Sequence, residues 1–178
     1  MLEVPARMAY WLVPAEPALS VLQKMVSDFA KRYDGPDFEP HATIYHGAFD
    51  TKDPITEILD RLGHFGELEL NTKSLVFGDR YTQSCYIEFE ISSALNEMNQ
   101  IVRQMIHTPE NHNDVLHMSL FYGSLAPEQR NEISNEVFLP KSLRFNLIKL
   151  IANRSRVISR ADVEYWNERA RRILANGL

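Results

Sequence analysis

Two short stretches carry residue types that can do chemistry: HATIYHG from His41 and HMSLFYG from His117. Each opens on histidine and has Thr or Ser two places on, then an aliphatic residue, an aromatic one and, at the seventh place, glycine. Both read as β-strands, in which alternate side chains share a face. His41, Thr43 and Tyr45 then lie on one face, with Ala42 and Ile44 opposite. His117, Ser119 and Phe121 likewise share a face, with Met118 and Leu120 behind them. Only a hydroxyl two places after the histidine points into the same space as the ring.

A histidine titrates near pH ~6.5, so two rings in one cleft can hold a single proton between them at neutral pH. Such a pair supplies a general base and a general acid to one reacting centre. The hydroxyls of Thr43 and Ser119 can donate to the non-bridging oxygens of a phosphodiester as charge builds there. The sequence has no HExxH and no dense group of Asp, Glu and His, so the chemistry is expected to use neither metal nor cofactor. Chance supplies about half a match to histidine-x-Ser/Thr in a chain of this composition. Two matches on apolar strands with matching flanks outweigh the plainer reading, two buried histidines that merely bond their neighbours.

The elements that must position these residues follow from periodicity. The apolar spacing alternates between two and about 3.6 along the chain, which marks a mixed fold of strands and helices. Strands are expected at Met8 to Val13, His41 to Gly47, Leu68 to Phe77, Thr82 to Ile91, Val115 to Tyr122 and Leu143 to Ile151, the last irregular near Ile148. Helices are expected at Pro17 to Tyr33, around Ile55 to Phe65, around Leu95 to Ile106 and at Pro127 to Phe138. A final helix is expected from the spacing of Val163, Trp166, Ala170 and Ile173. The order uses one pattern twice: helix, polar loop, histidine strand, helix, further strand. Two similar lobes facing one another across a cleft are expected, in one bilobal domain over residues 1–178.

Composition narrows the function classes. A hydrophobic fraction of 44% with 24% charged residues is ordinary for a folded chain and excludes disorder. No run approaches the length of a membrane span, and the N-terminus lacks a signal-peptide pattern, so a soluble cytoplasmic protein without membrane attachment is expected. The single cysteine, Cys85, excludes an internal disulfide and any cysteine-rich zinc site; it reads as core. The net charge of −5 argues against an extended nucleic-acid track. Six basic residues and no acidic one lie between Lys141 and Arg160; basic strand edges in solvent are the favoured reading, over a positive rim for a phosphorylated molecule.

Paired histidine-x-Thr/Ser-aliphatic motifs resemble those of the two-histidine (2H) phosphoesterase superfamily. FEPHATI, YTQSCYIEFEI and HMSLFYG resemble the cyclic phosphodiesterase branch typified by plant and yeast enzymes. The resemblance implies an α+β bilobal fold of two pseudo-symmetric antiparallel lobes, with helices outside and a central cleft. It implies metal-independent opening of nucleoside 2′,3′-cyclic phosphates to 2′-phosphates, or of ADP-ribose 1″,2″-cyclic phosphate. His41 and His117 would be catalytic and Thr43 and Ser119 phosphate-binding. His117 would activate water and His41 protonate the leaving oxygen. Tyr122 matches a tyrosine lining the family's site, although simple alternation points it away from His117. The plant enzymes carry disulfides that a single cysteine cannot reproduce.

Other residues are read from their positions. Arg80 and Tyr81, in the hairpin between the third and fourth strands, read equally as residues that close over a base or ribose and as a plain hairpin tip. His46 falls opposite His41 and reads as structural or surface, His64 as a helix cap, and His107 and His112 as solvated, with His112 within reach of the cleft mouth. Trp11 and Trp166 read as core. A monomer acting on a small cyclic phosphate is expected. The alternatives are an RNA 2′,5′-ligase or RNA-end phosphodiesterase, and a module that binds a nucleotide without turning it over.

Overall fold

The computed structural model describes residues 7–112, 115–154 and 156–174. The first half of the chain runs β1 (Arg7–Pro14), α1 (Ala18–Arg32), β2 (Ala42–Ala48), α2 (Ile55–Gly63) and β3 (Leu68–Val76). The second half repeats the order with β4 (Cys85–Phe89), α3 (Ser93–Met105), β5 (His117–Phe121), α4 (Pro127–Glu136) and β6 (Ser142–Asn153). A short helix, α5 (Arg160–Glu164), and a strand, β7 (Asn167–Ile173), complete it. Among the described residues no helix is long and apolar enough to cross a membrane.

The sheet order is β1-β2-β5-β4-β3-β6-β7, and β1 also pairs with β6. Every pairing is antiparallel. Matching the halves element by element, β2-β1-β6 forms one lobe and β5-β4-β3 the other. The third strand of each half has therefore crossed into the sheet of its counterpart. The lobes join at two places: a single bridge, Ala42 to Met118, and the short ladder from Leu68–Phe145 to Asn71–Ser142. The bridge lies one residue from each motif histidine, which is how residues 76 positions apart come together.

Helices follow the same exchange. α1 buries Leu22, Val26, Phe29 and Ala30 and packs on β5, while α3 buries Leu95, Met98 and Val102 and packs on β2. Beneath them Ala42, Ile44, Met118 and Leu120 are all buried. Full burial of such an aliphatic side chain contributes about 1.5–3 kcal/mol, so the backs of the histidine strands are fixed and their fronts are left to polar groups. Gly35, past the end of α1, is required by closeness: a Cβ there would sit 2.4 Å from the Phe121 ring and 2.8 Å from the Tyr122 carbonyl.

Two expectations meet corrections. The helix from Val163 to Ile173 is not formed; α5 stops at Glu164 and residues 167–173 pair with β6 as β7. The outer edge of β6 from Leu147 to Ala152 offers unpaired backbone groups, and pairing them overrides a helical spacing carried by four residues. The irregularity expected near Ile148 falls at Asn146, the extra residue where Val13 pairs with Leu147 and Pro14 with Phe145.

Candidate active site

The register of the two histidine strands contains a feature that alternation alone does not show. Tyr10 pairs with Tyr45 and Trp11 with Thr43, which leaves Ile44 as an extra residue. Cys85 pairs with Phe121 and Tyr86 with Ser119, which leaves Leu120 as an extra residue. Both bulges fall at the third place after the histidine. A bulge reverses the alternation beyond it and re-aims the side chains that follow. Phe121, expected beside His117, is therefore turned into the core, and Tyr45 is buried although it still borders the cleft. His46 and Tyr122, five places after each histidine, line the cleft as well. His46, placed opposite His41 by simple alternation, borders the cleft and stacks on His112, and Tyr122 reaches the cleft despite its apparent parity.

The carbonyl of Ile44, freed by the first bulge, accepts from the Asn99 side chain of α3 at 2.7 Å. Asn99→Ala removes its partner in a part-buried place. The expected loss is about 1–3 kcal/mol in denaturant unfolding, the cost of leaving such an acceptor unpaired.

The cleft has a volume of about 870 Å³ and both motif histidines line it. The His41 and His117 rings are held in the same way. His41 Nδ1 bonds the carbonyl of Glu39 and His117 Nδ1 the carbonyl of Val115, each at 2.7 Å and each two residues back. A carbonyl only accepts, so both Nδ1 atoms carry the hydrogen, and Nε2 is the nitrogen of each ring that can exchange a proton. The Gln83 amide N–H donates to His117 Nε2 at 3.4 Å, which favours that nitrogen as an acceptor. Gln83 was not singled out in the sequence; it lies in YTQSCYIEFEI, but nothing in its spacing announces it.

The environments of the two rings differ. His41 is 7% exposed and stacks on Trp11 with ring centres 3.5 Å apart, while Trp166 meets it edge-on at 5.7 Å. Burial, opposed by the Glu39 carbonyl and reinforced by the charges of His117 and Lys149, brings its pKa down to about 3. His117 is more open, with Tyr86 edge-on at 5.2 Å.

Thr43 is half-buried and lines the cleft. Ser119 is 4% exposed, and its Oγ donates to the Thr82 carbonyl at 2.6 Å. The Tyr122 phenol bonds to the Ser119 side chain, and burial raises its pKa so that it stays protonated. Tyr122 also stacks on Phe38 at 4.1 Å and faces Tyr81 at 6.1 Å. Arg80 and Tyr81 both line the cleft, with Arg80 exposed. Trp11 is buried and Trp166 half-buried, and both line the cleft. His64 caps α2. His107 bonds Asp53 at 3.0 Å, and His112 donates from Nε2 to the His46 carbonyl at 2.7 Å, so neither is simply solvated.

The family described as cyclic phosphodiesterase-like proteins matches residues 7–141, three quarters of the chain and both motifs. The chain belongs to this family. It is a cyclic phosphodiesterase-like member of the 2H phosphoesterase superfamily. A comparison with curated proteins finds no match. Among solved structures, E. coli LigT complexed with 3′-AMP is similar at 12% identity and TM-score 0.57, over 96% of this chain and 99% of LigT. A phosphoesterase is similar at 14% identity and TM-score 0.58, over 97% of this chain and 100% of its own. E. coli LigT complexed with NADP+ is similar at 15% identity and TM-score 0.55, over 97% and 100% respectively. At these identities the likeness shows the fold: a mixed α+β fold with an antiparallel sheet and helices.

This cyclic phosphodiesterase-like chain also carries a part-buried charge network beside His41. Lys149, its side chain 11% exposed, pairs with Glu39 at 2.7 Å and Glu168 at 3.3 Å, and Glu168 pairs with Arg171. Glu39 is the residue whose carbonyl holds His41 Nδ1. Lys149→Met removes a positive neighbour of His41 and frees the Glu39 carboxylate, so the His41 pKa is expected to rise. Glu39→Gln leaves Lys149 less compensated, so there the pKa is expected to fall. Opposite shifts in an NMR titration of the two folded variants check the network.

Of the six basic residues from Lys141 to Arg160, Arg156 lines the cleft. Arg144 pairs with Glu67 and Arg160 with Asp34, and Arg154 lies over the Tyr165 ring. The favoured reading of that stretch, strand edges carrying solvated charge, fits Arg144 and fails for Lys149, while Arg160 opens α5. Among the described residues no group of three or more His, Cys, Asp and Glu is placed to hold a metal ion.

Proposed function

We propose that the protein hydrolyses small cyclic phosphodiesters by two-histidine acid–base catalysis, without a metal. The substrates are a nucleoside 2′,3′-cyclic phosphate, opened to the 2′-phosphate, or ADP-ribose 1″,2″-cyclic phosphate, opened to the 1″-phosphate. The observation that carries this reading is the matched pair of rings: each Nδ1 is bonded to a backbone carbonyl two residues back, and both rings line the same cleft. A module that only bound nucleotides would have no use for two oriented proton-transfer atoms.

In the proposed reaction His117 Nε2 takes a proton from water as its oxygen attacks phosphorus. Thr43, and Ser119 turned from the Thr82 carbonyl, donate to the non-bridging oxygens. The bond from phosphorus to the 3′ oxygen breaks and His41 Nε2 delivers a proton to that oxygen. The proton gained by His117 and the one lost from His41 balance, and release of product with solvent exchange resets the pair. His41 is held neutral in the free protein by burial; an anionic phosphodiester beside it restores the charged form, as an opposite charge within a few ångströms does. That E. coli LigT, similar in fold, is found with 3′-AMP is in keeping with a nucleotide in this cleft.

The test is phosphorus NMR of a nucleoside 2′,3′-cyclic phosphate, and separately of ADP-ribose 1″,2″-cyclic phosphate, incubated with the protein and excess chelator. Loss of the cyclic signal and growth of one monoester is the expected result. No turnover of either compound would overturn the proposal.

A further inference from the structure

The connection between β3 and β4 touches both polar residues of the second motif. It contains a single turn of 3₁₀ helix, Tyr81–Gln83, closed by the Gln83 N–H on the Arg80 carbonyl at 2.9 Å. Ser119 Oγ donates to the Thr82 carbonyl at 2.6 Å, and the Gln83 side-chain N–H donates to His117 Nε2 at 3.4 Å. The proposed reaction uses His117 and Ser119 and assigns Gln83 nothing.

The placement of Gln83 is built into the fold. The Gly123 N–H bonds the Tyr81 carbonyl at 2.9 Å, and Ser84, 1% exposed, donates from Oγ to the Phe121 carbonyl at 2.9 Å. Residues on both sides of Gln83 are thus tied to the strand that carries the motif. Gly78 closes the other flank, where a Cβ would sit 2.5 Å from the Gln83 carbonyl oxygen. The backbone at Gln83 is fixed before any substrate arrives, and its side chain alone has freedom to turn.

The two motif histidines begin alike, each with Nδ1 on a carbonyl two residues back. Their neighbours differ. Trp11, Phe38 and Trp166 pack around the His41 ring, whereas His117 meets an amide. An amide N–H can only donate, and it finds a lone pair on Nε2 only while His117 is neutral. A hydrogen bond to the neutral form disfavours the charged one, so the ring is held back from taking a proton early. At 3.4 Å the bond is long, so a water that enters with the substrate can displace the amide and give its proton to Nε2. The other titratable or charged groups at His117 are His41 and Arg80 in the same cleft, Tyr86 edge-on at 5.2 Å, and Glu88. Glu88 is the register partner of His117 on β4, and Lys73 takes its carboxylate at 2.6 Å.

We propose that Gln83 is a positioning residue for the reaction: it keeps His117 neutral with Nε2 as an acceptor, and so makes His117 the base and His41 the acid. This rests on the proposed function above and adds to it what breaks the likeness of the two motifs.

The experiment compares wild type with Gln83→Met, which keeps the length and lacks the donor, and with Gln83→Glu, which keeps the shape and when ionised only accepts. One arm is an NMR titration of the His117 ring. Loss of the donor favours the protonated ring, and a carboxylate favours it more. The midpoint is expected to rise by about half a pH unit in Gln83→Met and by about one unit or more in Gln83→Glu. The other arm is the pH profile of kcat/KM for a nucleoside 2′,3′-cyclic phosphate. The productive microstate has the proton on His41 and none on His117, and its share falls about tenfold for each unit that the His117 midpoint rises. The alkaline limb is therefore expected to move up and the plateau to drop by the same factor, a coupling that loss of packing does not produce. A His117 midpoint unmoved in both variants, or a lower plateau with the limb in its wild-type place, overturns the assignment. Turnover absent in every protein, with the His117 midpoint displaced as expected, supports the hold of Gln83 on the ring and overturns only the proposed hydrolysis.

Discussion

Replacing His117 by alanine is expected to lower kcat for cyclic phosphate opening by about 10²–10⁴, the range supplied by one positioned acid or base. The loss should appear mainly in kcat, because the phosphate donors stay in place. His117 is half-buried at the cleft and outside the core, so the variant should unfold at close to the wild-type denaturant midpoint. His41→Ala should lose a similar factor. The double variant should lose far less than the product of the two, since a pair that passes protons through one reaction acts as a unit. Steady-state kinetics of the three variants checks this. A His117→Ala protein with near-wild-type kcat would remove that residue from the chemistry.

The second large effect concerns Trp11. This ring is 4% exposed, stacks on His41, and meets Trp166 edge-on at 4.8 Å. Trp11→Ala is expected to cost about 3–5 kcal/mol, as large-to-small changes at buried aromatics do. It also opens a path for water to His41. The imidazolium then regains part of its hydration, so the pKa should climb from about 3 toward the ordinary histidine value. Denaturant unfolding gives the first effect and NMR titration of the His41 ring the second. Continued titration of His41 near 3 in the folded variant would show that burial by Trp11 is not the cause.

The pairing of HATIYHG with HMSLFYG made the chemistry and the two-fold repeat legible, because the motif spacing encodes a shared face and most elements follow ordinary periodicity. What stayed hidden was what pairing decides. The bulges at Ile44 and Leu120 look like any aliphatic positions in a strand, and only the partners on β1 and β4 reveal the extra residue. That one difference hides the inward turn of Phe121 and makes Tyr122 look wrongly directed. Trp166 was obscured for a related reason: its spacing from Val163 is helical, yet the chain leaves α5 just before it and turns to pair with β6. Lys149 read as one charge among six on a strand edge, since its partners Glu39 and Glu168 lie 110 and 19 residues away.

The central claim is that two histidines share one proton across this cleft and use it on a phosphodiester. It is tested most directly by the pH dependence of kcat/KM for the better cyclic phosphate, measured in excess chelator. The active form carries one proton on the pair: a second is added as pH falls through the lower pKa, and the last is lost as pH rises through the upper one. Because burial sets the lower value at about 3, the account predicts a bell whose acid limb lies far below that of an ordinary histidine, with activity retained in mildly acidic buffer. An acid limb at the ordinary histidine value, a rate indifferent to pH, or a rate abolished by the chelator would contradict it.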